Sequence, residues 1–207
     1  IFRKVTAAHH VALYVHYSGV YDIEVVRQHP EWALIQADGK PDPEKTSVHG
    51  DYVHKLLIPQ LKELSSTYSL DGVWVDGDCW ATKPDYSEAS ISKFKATTGI
   101  TTIPKPGDPA YFDFMEFNRK SFLNYVQTYV DSMQKFNPAF QVASNWAYSS
   151  LMPLPVNIDV DFLSGDLSPT NSIYNAAFEA RCLASQGNMF HKPWDIMSWS
   201  FTLNWDR

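Results

Sequence analysis

Apolar positions along the chain alternate between two spacings. Short runs at 11–17, 70–76, 140–145, 158–164 and 195–200 are rich in strand formers. Between them the period lengthens. Val53, Leu57, Leu61, Leu64 and Tyr68 recur at helical intervals over 51–68, with Pro59 marking a kink or restart. Asp85-Tyr86-Ser87-Glu88 has the outline of an acidic capping box for a short helix. Ile91 and Phe94 form that helix's apolar side, and Gly99 ends it. Met115, Phe122, Val126, Val130 and Met133 predict a longer helix over 111–136, stopped at Asn137-Pro138. Another helix is expected near 172–185, closed by Gly187. Turn punctuation at His29-Pro30, Asp38-Gly39 and Pro41-Asp42-Pro43 predicts a long connection over 27–50, held packed by Trp32.

Strands alternating with helices imply parallel pairing through right-handed crossovers. In 70–76, Val73 and Val75 share one face, and Gly72, Trp74 and Asp76 share the other. In 11–17, Val11, Leu13 and Val15 oppose Ala12, Tyr14 and His16. An apolar face toward helices and a mixed face inward suit the wall of a (β/α)₈ TIM barrel. About five strands are visible, whereas such a barrel takes about 250 residues. The 207 residues are therefore read as one α/β domain, 1–207, an incomplete barrel lacking strands at both ends. An open five-stranded α/β sheet is the alternative.

Composition narrows the function. A net charge of −6, a pI near 5.6 and the absence of a basic run argue against a nucleic-acid partner. No apolar stretch approaches the roughly 18 residues of a membrane span. The first residues lack the build of a signal peptide, so a secreted or periplasmic location is expected only if a longer precursor carries one. GxGxxG, GxxxxGK[ST] and GxSxG are all absent, and nothing calls for a cofactor. The histidines show no HExxH, and Cys79 and Cys182 have no metal-ligand spacing and are expected to be reduced and structural. Seven Trp, 11 Tyr and 12 Phe are read either as core packing or, for several Trp and Tyr, as rings lining a cleft that stacks on sugars.

Strand parity aims Asp76 inward at a strand's C-terminal end, where barrels place their active sites. The alternative is an aspartate capping the next turn. Leu70-Asp71-Gly72-Val73-Trp74-Val75-Asp76-Gly77 resembles the Trp-Phe-Asp-Gly strand of the α-L-fucosidase family of glycoside hydrolases. The segments 11–18 and 52–68 resemble the preceding strand and helix of that family. His29-Pro30-Glu31-Trp32 and 193–199 are similar to uncharacterised barrel hydrolases related to fucosidases and β-galactosidases, and 86–99 is similar to β-galactosidase-like barrels. The resemblance implies a glycosidase that cleaves a terminal sugar from a glycoside or oligosaccharide, with Asp76 as the nucleophile of a retaining mechanism.

Such a mechanism needs a second carboxyl about 5–5.5 Å away as general acid/base. Asp166, at a later strand end on the same rim, is the favoured candidate. Asp78 is a rival that alternatively holds a loop or a hydroxyl. Asp22 and Glu179 are weaker, Glu179 being expected on a solvated helix face, and a carboxylate outside this chain stays open. His16 and Asn145 occupy strand ends suited to substrate contact, as does Asp78 near one. Trp80, Trp146 and Trp199 are candidate stacking platforms. The competing reading is a non-catalytic carbohydrate-binding barrel or an inactive barrel fragment.

Overall fold

The structure, a computed structural model, describes residues 1–168 and 172–198. In chain order its elements are α1 (Phe2–Ala8), β1 (Tyr14–Ser18), α2 (Ile23–Gln28), β2 (Ala33–Ile35), β3 (Pro41–Thr46), α3 (Ile58–Ser66) and β4 (Gly72–Asp76). Then come α4 (Glu88–Thr98), α5 (Tyr111–Phe136), β5 (Gln141–Asn145), β6 (Phe162–Ser164), β7 (Asp166–Leu167), α6 (Ile173–Met189) and β8 (Met197–Ser198). β1, β4, β5 and β6 pair in parallel in that order. β7 continues β6 past Gly165 and pairs in parallel with β8. Parallel strands thus follow one another in chain order, and among the described residues they do not close into a ring.

Sequential parallel strands joined by right-handed crossovers place their helices on one side. Ile58 and Leu61 of α3, Phe122, Val126 and Met133 of α5, and Leu183 of α6 share one core with Val73, Val75, Val142 and Leu163. The opposite face carries Tyr14, His16, Trp74, Asp76 and Asn145, and it is concave. Tyr14 and Phe162 stand on the outer strands of the four, yet their ring centroids are 5.8 Å apart. A flat sheet with strands about 4.8 Å apart would hold those strands about 14 Å apart. Gly72 permits the approach: a Cβ there would lie 2.3 Å from Tyr14 Cε1. The architecture is an arc of a (β/α)₈ barrel wall, as the periodicity implied.

Local departures have local causes. The helix expected over 51–68 divides into a π-helical turn, Val53–Leu57, and α3, with Pro59 in the first turn of α3. Proline has no N–H to donate and its ring crowds the preceding turn, so the ladder widens there. The long connection over 27–50 contains the antiparallel pair β2 and β3, and Trp32 beside it is buried. Pro41 and Pro43 fall in the first half of β3, before the Glu44–Thr46 stretch whose backbone bonds to residues 20–22. Of the strand expected over 158–164, only the end is formed. Met152, Val156, Ile158 and Val160 instead turn into the core, and this crossover carries a short turn of 3₁₀ helix, Ser149–Leu151, in place of an α-helix. α6 does not stop at Gly187 but runs to Met189. α1, which the pattern did not predict, buries none of its residues and is tied down by an Arg3–Asp71 ion pair.

Candidate active site

Gly77 follows β4 with φ +69°, and the sharp turn it makes returns its own N–H to Asp76 Oδ1 at 2.6 Å. The same oxygen accepts from the Trp80 indole at 3.3 Å and from Asn145 Nδ2 at 2.8 Å. Asp76 Oδ2 faces His16 Nε2 at 3.1 Å. Partial burial pushes the Asp76 carboxyl up, but the hydrogen bonds from His16, Asn145, Gly77 and Trp80 together outweigh it and hold its pKa below the ordinary value. The His16 imidazole moves the other way. Its hydrogen bond to Asp76 raises its pKa against the effect of burial, helped by the charges of Asp76 and Asp166.

Asn145 ends β5 fully buried, and its orientation follows from its partners. Its Oδ1 accepts from the backbone N–H of Ala147 at 3.0 Å, so the NH₂ end faces the carboxylates. That one nitrogen lies 2.8 Å from Asp76 Oδ1 and 2.7 Å from Asp166 Oδ1, donating one N–H to each. Two oxygens sharing one nitrogen at these distances lie no farther apart than the roughly 5–5.5 Å typical of retaining glycosidases. Asp166 reaches the site because it has the inward parity of Phe162 and Ser164, carried past Gly165 into β7.

Among solved structures, the chain is similar to a β-galactosidase from Rahnella sp. R3, with a TM-score of 0.67 and 16% identity over 99% of this chain. It is also similar to a β-galactosidase from Bacillus circulans sp. alkalophilus, with a TM-score of 0.65 and 12% identity over 89% of this chain. The fold is that of an α/β barrel, present here as an open arc of its wall. The chain spans 38% and 34% of the length of those two enzymes. No family model matches the chain, and no curated protein does.

On this arc, Asp76, Asp166, His16, Asn145 and Trp80 come together, with Trp80 packed on Tyr21 at 5.2 Å between ring centroids. Asp78 and Trp146, both expected to contact substrate, do not join them. Both have no exposed surface. Beyond the Gly77 turn, Asp78 enters the core and accepts from Tyr129 Oη at 2.8 Å, Ser144 Oγ at 2.9 Å and Val20 N at 3.2 Å. Burial pushes its carboxyl up to about 7, against those three donors. Trp146 is one residue past the inward Asn145, so parity turns it toward Phe122, 5.4 Å away between rings. Trp199 lies outside the described residues.

Asp22 caps α2 by accepting from Val25 N at 3.0 Å. Glu179 is buried against Ser150 rather than solvated, since the turn Ser149–Leu151 packs on α6. Cys79 is buried and Cys182 lies on α6, both as free thiols. Among the described residues, no group of three or more His, Cys, Asp or Glu is arranged to hold a metal ion, and no helix is long and apolar enough to cross a membrane.

Two inward groups, Trp74 and Ser164, were not among the candidate site residues read from the sequence. Trp74 stands beside His16, 5.2 Å between rings, and strand parity alone had already turned it inward. Ser164 donates to the carboxylate of Asp195, adding a further acidic group beside β6. The signal for Ser164 was its shared parity with Asp166. Nothing in the local sequence marked Asp195, because its place depends on how the segment before β8 docks on Leu163.

Proposed function

We propose that the concave face hydrolyses a terminal sugar from a glycoside or oligosaccharide by a retaining mechanism. Asp76 is the nucleophile and Asp166 the general acid/base. The observation that supports the reading is the single Asn145 amide nitrogen, 2.8 and 2.7 Å from the two carboxylates, which keeps their nearest oxygens no farther apart than a retaining pair. Asp76, with its lowered pKa and strand-borne position, is held as the anion that attacks the anomeric carbon. Asp166 delivers its proton to the departing oxygen, then removes one from the water that releases the sugar from Asp76. Trp74 and Trp80 offer rings beside the carboxylates on which a sugar face can stack. The resemblance of 70–77 to the fucosidase strand and the β-galactosidase likeness of the fold support the same assignment.

Hydrolysis of an aryl glycoside panel that includes β-D-galactosides and α-L-fucosides tests the proposal. Asp166→Asn is expected to lower kcat/KM by about 100- to 10,000-fold, the usual contribution of a general acid/base. Asp76→Asn should lower it further, and the first-formed product should keep its anomeric configuration. Sugar binding with no turnover in the wild type would favour the carbohydrate-binding alternative instead.

A further inference from the structure

The segment leading into β8 carries the barrel wall one strand further. Leu163 faces Trp194 and Asp166 faces Met197, so the register is the same at both points. Leu163 N donates to Pro193 O at 2.9 Å, Asp195 N to Leu163 O at 3.0 Å and Met197 N to Gly165 O at 2.7 Å, an unbroken parallel ladder. Paired residues of parallel strands share a face. Trp194 is therefore turned to the helical side with Leu163, where it lies against Gly187 of α6, and Ile196 packs on the core. Asp195 between them is turned inward, beside Ser164.

This register builds one level of the concave face. Asp76 follows the pairing of Val75 with Ser144, so Asp76, Asn145, Ser164 and Asp195 stand in a row across neighbouring strands. One step lower, Trp74, Ala143 and Phe162 form a floor, with His16 beside Trp74. The row thus has a carboxylate at each end and aromatic rings beneath it. Three strand spacings separate Asp76 from Asp195, as many as separate Tyr14 from Phe162, whose rings the curvature brings to 5.8 Å. Asp195 is exposed, whereas Ser164 is buried and donates its hydroxyl to Asp195 Oδ1, which fixes the direction of the carboxylate.

An ionised carboxylate has no proton to give, so what it selects is a donor. A sugar ring lays its C–H face on aromatic rings and presents hydroxyls at its edge. The geometry points to Asp195 as a specificity-determining residue that accepts a hydroxyl of the same sugar whose anomeric carbon meets Asp76. This rests on the reading of Asp76 as nucleophile, and it divides the ends of the row between chemistry and recognition. Asp166, one inward position above Ser164, is left to the departing oxygen.

Binding is measured in Asp76→Asn, where turnover does not interfere, with nitrophenyl β-D-galactoside and nitrophenyl α-L-fucoside, each beside its monodeoxy forms. Adding Asp195→Ala should weaken the binding of at least one parent glycoside about 10- to 100-fold, the usual worth of a hydrogen bond to a charged group. The monodeoxy form that lacks the contacted hydroxyl should lose less than about twofold. Asp195→Asn keeps the outline of the side chain and an acceptor for Ser164, and it should show the same selective loss. With Asp76 intact, Asp195→Ala should lower kcat/KM alike for good and poor leaving groups. Unchanged binding, an equal loss for every monodeoxy form, or no binding of either parent to Asp76→Asn would overturn the assignment. So would a loss that grows with leaving-group pKa and is restored by azide, which would make Asp195 the general acid/base. No turnover in the wild type, with the selective loss of binding intact, would overturn the hydrolase reading and leave Asp195 its binding role.

Discussion

Asp76 and Asp78 lie two residues apart, and the turn at Gly77 sends them to opposite sides of the sheet. Asp76 keeps a lowered pKa among four donors at the open face. Asp78 has no exposed surface and a pKa raised to about 7 by burial. The raised value has a definite consequence for stability. An unfolded aspartate titrates near 3.9. Between about pH 4 and 7 the native state therefore holds a proton that the unfolded chain has released, and stability falls as pH rises through that window. The slope reaches at most about 1.4 kcal/mol per pH unit. Asp78→Asn keeps an acceptor for Val20 N, while the Tyr129 and Ser144 hydroxyls can turn to accept from the new amide. Urea unfolding of the wild type and the variant between about pH 4.5 and 7.5 should show their stability difference changing with pH by this slope, because every other titrating group contributes alike in both. An identical slope in both would mean that Asp78 does not titrate in this range. Neither residue's surroundings follow from nearness to a strand end. Parity aims Asp76, but only the φ of Gly77 and the pairing of β4 with β5 send Asp78 into the core.

Elements whose periodicity was strong and uninterrupted were legible. α5 occupies the span its apolar spacing predicts, and β4 differs from expectation by a residue or so. Pro59 announced the break before α3, because a missing N–H acts locally. β3 was illegible for the opposite reason. Pro41-Asp42-Pro43-Glu44 contains no strand former, and its extended form comes from pairing with β2 and from Thr46 N donating to Val20 O at 2.8 Å. The end of α6 was misread because Gly187 looked like a stop signal. Its role is contact: a Cβ there would lie 2.5 Å from Trp194 Cδ1 and 3.1 Å from the Lys192 carbonyl. Replacing an exposed helical glycine by alanine ordinarily gains about 1 kcal/mol. Here the methyl collides with a ring and a carbonyl, so Gly187→Ala should destabilise by about 1–3 kcal/mol. A rise in melting temperature for this variant would show that Trp194 yields freely.

At the scale of the whole molecule, the site depends on curvature as much as on its own residues. Asp76 and Asp166 come from separate segments of the chain, and Asn145 between them meets both only because the strands wrap toward the concave face. That dependence was beyond the sequence, which supplies parity within each strand but no angle between strands. The part of the curvature visible in side chains is the stack at the lower end of the face. Tyr14 lies over Gly72, donates to Gln141 and meets the edge of Phe162. A methyl group at residue 72 would come within 2.3 Å of the Tyr14 ring and 2.5 Å of the Gln141 carbonyl oxygen. The ring can swing away, but the carbonyl belongs to the neighbouring strand, so relief must come from opening the angle between β4 and β5. Gly72→Ala should therefore cost about 1–3 kcal/mol of stability. It should also separate the Tyr14 and Phe162 rings and lengthen the Asn145 bridge to Asp166, although residue 72 lies at the opposite end of β4 from Asp76. Loss of the Tyr14–Phe162 ring cross-peak in NMR, together with a fall in glycoside turnover, is the expected result. A variant that loses stability but keeps the cross-peak and full turnover would show that the curvature is set by the helices outside the sheet rather than by this stack.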